Sequence, residues 1–274
     1  MMDSNKIKTK QRLDTFLYEN GYFESRSKAE ICIREGNVLV NNIKEDKPGT
    51  MIKIDSVIKI LGDKCPFVSR GGYKLDKAIK TFNINLNENI CVDLGSSTGG
   101  FTDVMLKNGA KKVYAVDCGT NQLEYKLRIN DKVVVMENTN ARYVKLDDFN
   151  NDKIDFVSAD LSFISLKHVL NVIYNILSDD GISVVLIKPQ FEAGKEEVEK
   201  GGVVKDERIH KKVINDIIDY SKNTGFMING LTFSPIKGPS GNIEYLLYLS
   251  KNNQNKIFEF DINDIVNKSH EEAK

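Results

Sequence analysis

The chain has 274 residues and no formal net charge, and its 41% hydrophobic and 28% charged residues exclude a disordered or fibrous protein. No stretch reaches the roughly 20 consecutive apolar residues of a membrane-spanning helix, and the first residues lack the apolar core of a signal peptide, so we expect a cytoplasmic protein without a membrane partner. The four cysteines and three histidines are dispersed without zinc-ligand spacing, so we expect reduced thiols and no metal.

Positive charge is concentrated at the front of the chain. Residues 1–80 hold 16 Lys and Arg against 11 Asp and Glu, whereas residues 81–274 hold 23 against 28. A basic front suits a polyanionic partner, because each neutralised phosphate releases counterions. An imbalance of this size is also common on a solvated surface, so the charge alone does not decide between the two.

The first 61 residues predict a small helix-helix-strand domain. Apolar residues at i, i+3 and i+4 predict a helix over residues 12–20. Ser25 suits the N-cap of a second helix, which ends at Gly36. Short β-rich runs follow at 38–40 and 51–61. Six basic residues on or before the two helices could contact phosphates, although a solvated helix face is the alternative: Lys8, Lys10, Arg12, Arg26, Lys28 and Arg34.

A second domain is predicted over residues 69–274, after a Gly- and Pro-punctuated linker at 62–68. Apolar runs alternate there with helical patterns, which predicts an α/β fold with a parallel, doubly wound sheet. The predicted strands cover residues 90–94, 113–116, 133–136, 154–157 and 182–187. Two later runs, 227–233 and 245–249, are joined by a Gly/Pro-rich loop and predict an antiparallel edge pair. The polar end after Lys251 is expected to fray.

A glycine-rich turn, VDLGSSTGGF, follows the first strand of this sheet. Glycines there let the backbone approach a cofactor, although an ordinary structural turn has the same composition. The spacing G-x-x-x-G-G differs from the dinucleotide pattern, and the carboxylate of Asp93 would repel a pyrophosphate but suits the cationic groups of S-adenosylmethionine. The predicted cofactor residues are Asp93, Gly95, Ser97, Gly99, Gly100 and Phe101, with Asp117 for the ribose and Asn138 near the adenine.

Four charged residues stand at strand ends or just before strands. They are Lys74, Asp160, Lys188 and Glu244, in the contexts SRGGYKL, ADLSFIS, LIKPQF and GNIEYLL. Strand ends on one edge of a sheet converge on one crevice. Each residue alone is more often a surface residue or half of a simple salt bridge. All four together predict a catalytic group.

These motifs resemble a known family. The segment KQRLDTFLYENGYFESRSKAEICIREGNVLVN resembles an S4 RNA-binding domain, and FVSRGGYKL, VDLGSSTGGFTD, NTNAR, ADLSFISL, KPQFEAGKE and GPSGNIEYLL resemble the TlyA family, also called haemolysin A. The resemblance covers nearly the whole chain. It implies a small α+β S4 domain over 1–61 and a Rossmann-like, FtsJ-like methyltransferase domain over 69–274. The implied activity is 2'-O-methylation of cytidine in ribosomal RNA, with ribosomal RNA or ribosomal subunits as partners.

The resemblance also implies that Lys74, Asp160, Lys188 and Glu244 are the Lys-Asp-Lys-Glu tetrad of FtsJ-like domains. Because the donor methyl is already activated, the chemistry needs a group that takes the 2'-hydroxyl proton. We expect Lys188 to be that base, Asp160 and Glu244 to orient the lysines and the hydroxyl, and Lys74 to set the charge and the position of the substrate, without a metal.

Two other functions are compatible with parts of the pattern. A ribosome-binding assembly factor could keep the fold without catalysis, because binding and catalysis can separate on one fold. A membrane-lytic protein is suggested by the name haemolysin. That role would normally leave a secretion signal, a spanning helix or a strongly basic amphipathic stretch, and the sequence shows none of them.

Overall fold

The computed structural model describes residues 9–23, 25–34, 36–61, 65–238 and 240–272. The chain forms two compact units, Met1–Cys65 and Pro66–Lys274, and the division falls within the predicted linker at 62–68. Lys8, one of the predicted RNA contacts, lies outside the described residues. Within the described segments, no helix is long and apolar enough to cross a membrane.

The described part of the first unit contains the two predicted helices and five short strands. Ser25 caps the second helix, since its Oγ accepts a hydrogen bond from the backbone N–H of Lys28 at 3.2 Å. The small core includes the fully buried Leu13, Leu17 and Ile33. The elements are β1 (Lys10–Arg12), α1 (Leu13–Glu19), α2 (Arg26–Arg34), β2 (Val38–Val40), β3 (Ile43–Glu45), β4 (Met51–Lys53) and β5 (Ile58–Ile60).

Pairing of these strands is antiparallel throughout. β1 pairs with β4, and β2 lies between β3 and β5. The predicted run over 51–61 is therefore two strands of different sheets. Neither β1 nor β3 was predicted, because the three-residue segments KQR and IKE are too short and too polar to form an apolar pattern.

The second unit is built on a seven-stranded sheet of order β11-β12-β10-β9-β6-β7-β8. Its elements are α3 (Gly72–Phe82), β6 (Ile90–Leu94), α4 (Gly100–Lys107), β7 (Lys112–Val116), α5 (Tyr125–Arg128), β8 (Val133–Met136), β9 (Ile154–Ala159), α6 (Leu170–Ile176), β10 (Leu177–Ile187), α7 (Pro189–Glu192), α8 (Glu207–Thr224), β11 (Met227–Phe233), β12 (Tyr245–Ser250) and α9 (Ile262–Glu272). The strands from β10 to β8 are parallel, and β12 runs antiparallel to both of its neighbours. The predicted parallel sheet with an antiparallel pair at one edge is confirmed.

Both faces of the sheet are covered, as its continuous apolar strands require. Leu75 of α3 and Val104 of α4 belong to the core on one face. Ile173 of α6, Ile214 of α8 and Val266 of α9 belong to the larger core cluster. The chain leaves β6 toward β7 on one side, while β9 lies on the other side. This reversal opens a crevice at the carboxyl ends of β6 and β9, where ligands of open α/β sheets bind.

Residues 262–272 differ from the predicted frayed end, because they form the regular helix α9. Its N-terminus is capped by Asp261, whose Oδ1 accepts from the N–H of Asn263 at 2.7 Å. Ile262, Ile265 and Val266 recur at helical spacing, and Val266 is fully buried. The apolar face was present in the sequence but was diluted by polar neighbours.

Candidate active site

The glycine-rich turn joins β6 to α4 and passes close to other parts of the backbone. Gly95 and Gly99 have φ values of +86° and +93°, in the left-handed region that favours glycine. A β-carbon on Gly95 would lie 2.5 Å from the carbonyl oxygen of Asp160. A β-carbon on Gly99 would collide with Leu123 and Leu127. Glycine is therefore required at both positions.

Asp117, at the end of β7, ties the glycine loop to the next strand. Its Oδ2 accepts from the N–H of Ser97 at 2.8 Å, and its Oδ1 accepts from the N–H of Gly119 at 2.7 Å. Asn138, which follows β8 with φ +54°, donates its backbone N–H to the carbonyl of Gly119 at 3.2 Å. Three of the predicted cofactor residues thus meet around one turn.

Asp93 is fully buried beneath the loop. Its Oδ2 accepts from the hydroxyl of Thr102 at 2.7 Å, and its Oδ1 accepts from the hydroxyl of Ser158 at 3.0 Å. Burial raises the pKa of Asp93 to about 6, and the two hydrogen bonds oppose that rise. Both oxygens are engaged inside the protein. Asp93 braces the loop against α4 and β9, and its direct pairing with a cationic cofactor stays a prediction.

The four predicted catalytic residues form one chain of ion pairs. Lys188 Nζ lies 2.6 Å from Asp160 Oδ1, and Lys74 Nζ lies 3.2 Å from Asp160 Oδ2 and 2.7 Å from Glu244 Oε2. Asp160 and Lys188 follow the paired strands β9 and β10, and Glu244 directly precedes β12. Lys74 does not stand at a strand end, because it lies in the first turn of α3.

The electrostatics distinguish the two lysines of this tetrad. Burial disfavours the charge of Lys74, but Asp160 and Glu244 outweigh burial and raise its pKa. Burial likewise opposes the charge of Asp160, but the two lysines outweigh it and lower the pKa of that carboxyl. Lys188 pairs with one carboxylate and donates to the hydroxyl of Ser162 at 3.0 Å. Lys188 therefore has less anionic support than Lys74.

A cavity of about 220 Å³ joins the glycine loop to the tetrad. It is lined by Ser69, Gly71, Lys74, Gly95, Ser96, Ser97, Thr98, Gly100, Phe101, Asp160, Ser162 and Lys188. Three tetrad residues and four predicted cofactor residues thus share one space, while Glu244 reaches it through Lys74. A larger cavity of about 520 Å³, between residues 142–146 and α6, contains none of the predicted site residues.

Sequence reasoning missed two residues beside the tetrad. Ser162 accepts the hydrogen bond from Lys188, and Phe163 is 90% exposed with φ +62°. The Phe163 ring lies 5.1 Å from that of Phe191, measured between centroids. Both missed residues belong to the ADLSFIS motif, so their position beside Asp160 was the available signal.

In the first unit, two of the predicted RNA contacts share a buried carboxylate. Arg12 and Arg26 lie 2.7 and 2.8 Å from Asp14 Oδ2. Burial opposes the charge of Asp14, but hydrogen bonds from both arginines outweigh it and lower its pKa. About half of each arginine side chain stays exposed. Among the other predicted contacts, Lys10 and Arg34 are exposed.

The described segments contain no candidate metal centre. No group of three or more His, Cys, Asp and Glu side chains there is placed to hold an ion. The cysteines of the described segments form no disulfide bond.

Comparisons with known proteins agree with this architecture. Residues 67–251 match the FtsJ-like methyltransferase family, and residues 11–58 match the S4 domain. The chain is 37% identical over 263 residues to the 16S/23S rRNA (cytidine-2'-O)-methyltransferase TlyA of Mycobacterium tuberculosis, covering 96% of this chain and 98% of that protein. It is 44% identical over 237 residues to Hemolysin A of Brachyspira hyodysenteriae, covering 86% and 98%.

A solved structure from Streptococcus thermophilus, 44% identical, covers 96% of this chain and 97% of its own with a TM-score of 0.77. Family matches and full-length relatives thus agree on both domains and on their order. The chain belongs to the TlyA family, in which an S4 domain precedes an FtsJ-like methyltransferase domain.

Proposed function

We propose that this protein transfers a methyl group from S-adenosylmethionine to the 2'-hydroxyl of a cytidine in ribosomal RNA, and that it acts in the cytoplasm. One observation carries the proposal: three residues of the ion-paired tetrad line the same cavity as the glycine loop after β6. Methyl transfer requires a donor site and a proton-accepting group at one place. The similarity to a TlyA protein named for cytidine 2'-O-methylation, over 96% of this chain, supports the choice of acceptor.

The residues around the loop fit S-adenosylmethionine. β-Carbons on Gly95 or Gly99 would collide with Asp160, Leu123 and Leu127, so glycine lets the loop pack closely against the protein. Gly95, Ser97 and Gly100 of this loop line the cavity, where the loop backbone is open to a ligand. Asp117 follows the second strand, where an acidic residue meets ribose hydroxyls in nucleoside-binding folds. When bound, the cofactor supplies a methyl group that its sulfonium makes electrophilic. The residues that would hold it are Gly95, Ser97, Gly99, Gly100, Phe101, Asp117 and Asn138, with Asp93 bracing the loop from beneath.

Lys188 is the proposed proton acceptor. A 2'-hydroxyl is a weak nucleophile until its proton is removed, and a well-placed base contributes about 10²–10⁴-fold. Both lysines line the cavity, but Lys74 is held between two carboxylates, whereas Lys188 contacts only one, so Lys188 is the lysine more available to a substrate hydroxyl. A cationic donor in the same cavity further disfavours a second positive charge there.

The remaining tetrad residues would orient this base. Asp160 receives Lys188 on one oxygen and Lys74 on the other, so it fixes the direction of the Lys188 amine. Glu244 holds Lys74 from the opposite side and keeps the buried array neutral. The exposed ring of Phe163, three residues beyond Asp160, suits stacking on an unpaired base.

The S4 domain would supply most of the affinity for RNA. Arg12 and Arg26 keep about half of their side chains exposed while Asp14 holds their orientation. Fixed guanidinium groups suit phosphate oxygens, and such contacts position an RNA without reading its sequence.

Methylation mapping tests the proposal. Ribose methylation is compared on ribosomal RNA from strains with and without the protein, and purified protein is then given S-adenosylmethionine and the unmethylated subunits. We expect one or a few cytidines to lose the 2'-O-methyl group in the deleted strain and to regain it in vitro. A protein that binds ribosomal RNA but shows no heat of binding with S-adenosylmethionine would favour the assembly-factor alternative.

A further inference from the structure

Two segments carry the tetrad residues at the centre of the site, and they are joined by more than the tetrad. Residues 160–166 follow β9, and residues 188–192 follow β10. Lys188 contacts both Asp160 and Ser162, and the ring of Phe191 packs against Phe163. The contacts between the two segments extend to Glu192, the last residue of the second segment.

Both carboxylate oxygens of Glu192 accept hydrogen bonds from the opposite segment, residues 160–166. Its Oε2 accepts from the Ser165 hydroxyl at 2.6 Å, and its Oε1 accepts from the Leu166 N–H at 2.8 Å. A 3₁₀ turn begins at Leu166, so the carboxylate satisfies an N–H that the turn leaves without an internal partner. Burial raises the pKa of Glu192, and these hydrogen bonds oppose that rise. A partly buried carboxylate thus serves only to join the two segments.

The segment that Glu192 holds is short and conformationally demanding. Its first end is fixed to the sheet, where the Asp160 N–H donates to the Leu94 carbonyl at 3.0 Å. Phe163, in its middle, has φ +62°, a left-handed conformation that a non-glycine residue keeps only where its neighbours enforce it. Glu192 fixes the second end. Without it, the contacts of this segment with residues 188–192 would be reduced to those of Asp160 and Ser162 with Lys188 and of Phe163 with Phe191.

We propose that Glu192 is a positioning residue for methyl transfer. Its carboxylate holds residues 160–166 against residues 188–192, so that Ser162 stays within reach of Lys188 and the exposed ring of Phe163 is presented in one orientation. Glu192 acts through this segment and touches no reacting atom. The inference rests on the proposed function, because it concerns the rate of the same transfer.

Glu192→Gln tests the proposal. The variant replaces one acceptor oxygen with an amino group and so imitates the protonated carboxyl. With unmethylated ribosomal subunits and labelled S-adenosylmethionine, we expect the single-turnover rate at neutral pH to fall by about tenfold or more, as loss of a charge-assisted hydrogen bond predicts. Affinity for S-adenosylmethionine should change less than about twofold, because the glycine loop is not contacted by Glu192.

The pH dependence separates positioning from a merely structural role. The ratio of the parent rate to the Gln-variant rate cancels the titration of the groups that both proteins share, apart from Lys167 and His168, whose charges interact with that of Glu192. If the ionised carboxylate positions the segment, the ratio is large at neutral pH and approaches one in acid, where Glu192 of the parent becomes protonated. A ratio that is near one at every pH, or that is large and independent of pH, overturns the proposal.

Glu197→Gln is the matched control. Glu197 also accepts a backbone N–H, from Gly194 at 2.8 Å, but its other partner is Lys212 and not the 160–166 segment. The ratio of the parent rate to the Glu197→Gln rate should stay near one at every pH. If Glu192→Gln fails to fold, Ser165→Ala removes one of the two hydrogen bonds to Glu192, together with the cap that Ser165 provides for the Lys167 N–H. This variant is expected to lower the rate without loss of cofactor affinity. A parent protein that transfers no methyl group at all overturns the proposed function, whereas a fully active Glu192→Gln overturns only the positioning role.

Discussion

Gly95 and Asp160 are so close that a β-carbon on Gly95 would lie 2.5 Å from the Asp160 carbonyl oxygen. The cofactor loop after β6 and the tetrad residue after β9 are therefore packed backbone against backbone. A change in the loop must move the tetrad as well. If the loop binds the methyl donor as proposed, this contact would couple donor binding to the position of Asp160, since the nearest atom on that side belongs to the backbone.

Gly95→Ala is expected to damage both functions together. The methyl group strains a left-handed residue by about 1–3 kcal/mol and also displaces the Asp160 backbone. Affinity for S-adenosylmethionine should fall, measured by calorimetry, and the transfer rate at saturating cofactor should fall as well. Gly201→Ala is the control, because Gly201 has φ +102° but nothing within 4 Å of a β-carbon. Equal losses in both variants would mean that strain alone, and not the contact with Asp160, is responsible.

Asp93→Asn is expected to stabilise the protein at neutral pH. An unfolded Asp93 ionises near 3.8, whereas burial raises the folded pKa to about 6. As the pH rises, Asp93 therefore loses its proton first in the unfolded protein. Asp93 lowers the free energy of unfolding progressively between these two pKa values. Since one pKa unit corresponds to about 1.4 kcal/mol, the gain above about pH 6 is at most about 3 kcal/mol, and it disappears below about pH 4. Chemical denaturation across this pH range measures it.

Asp152→Asn is the control, because the opposite change in stability at neutral pH is expected for it. Lys112 and Tyr114 lower the pKa of Asp152, so its charge stabilises the fold at neutral pH and the contribution is lost in acid. A stability difference for Asp93→Asn that does not vary with pH would show that the pKa of Asp93 is the same in the folded and the unfolded protein. Cofactor affinity of the same variant then tests whether the loop needs the charge of Asp93 or only its shape.

The sequence allowed the sheet and most of the site to be predicted, for a physical reason. Buried parallel strands are continuous apolar runs, and residues that follow them converge, so Asp160 and Lys188 could be brought together from the strand pattern alone. Lys74 could not be placed this way, because it lies on α3 and reaches Asp160 only through packing of that helix on the sheet. The role of Glu192 was equally hidden, since its partners lie 26 and 27 residues away on another loop.

The first unit is expected to bind RNA partly through Arg12 and Arg26. Each of Arg12→Ala and Arg26→Ala should weaken binding to ribosomal RNA and reduce the slope of log affinity against log salt concentration by about one, as loss of one phosphate contact predicts. The single changes leave Asp14 with one arginine partner, so the unit should remain folded. Arg208→Ala is the control, because that arginine is exposed and ion-paired on the other unit. If the slope of log affinity against log salt concentration is the same for all three variants, the RNA contacts lie elsewhere.

Lys188 is expected to be the residue whose loss harms chemistry most while leaving binding nearly intact. A base acts mainly in the transition state, so Lys188→Ala should lower the single-turnover rate by about two orders of magnitude or more, with small changes in cofactor and RNA affinity. Lys188→Arg should fail similarly, because arginine can keep the ion pair with Asp160 but cannot readily give up its proton. Lys251→Ala serves as the control, since that lysine contacts the Leu177 carbonyl and Asp179 and does not line the cavity. An Arg variant with nearly full activity would make Lys188 a cationic positioner, and the proton would then have to leave by another group.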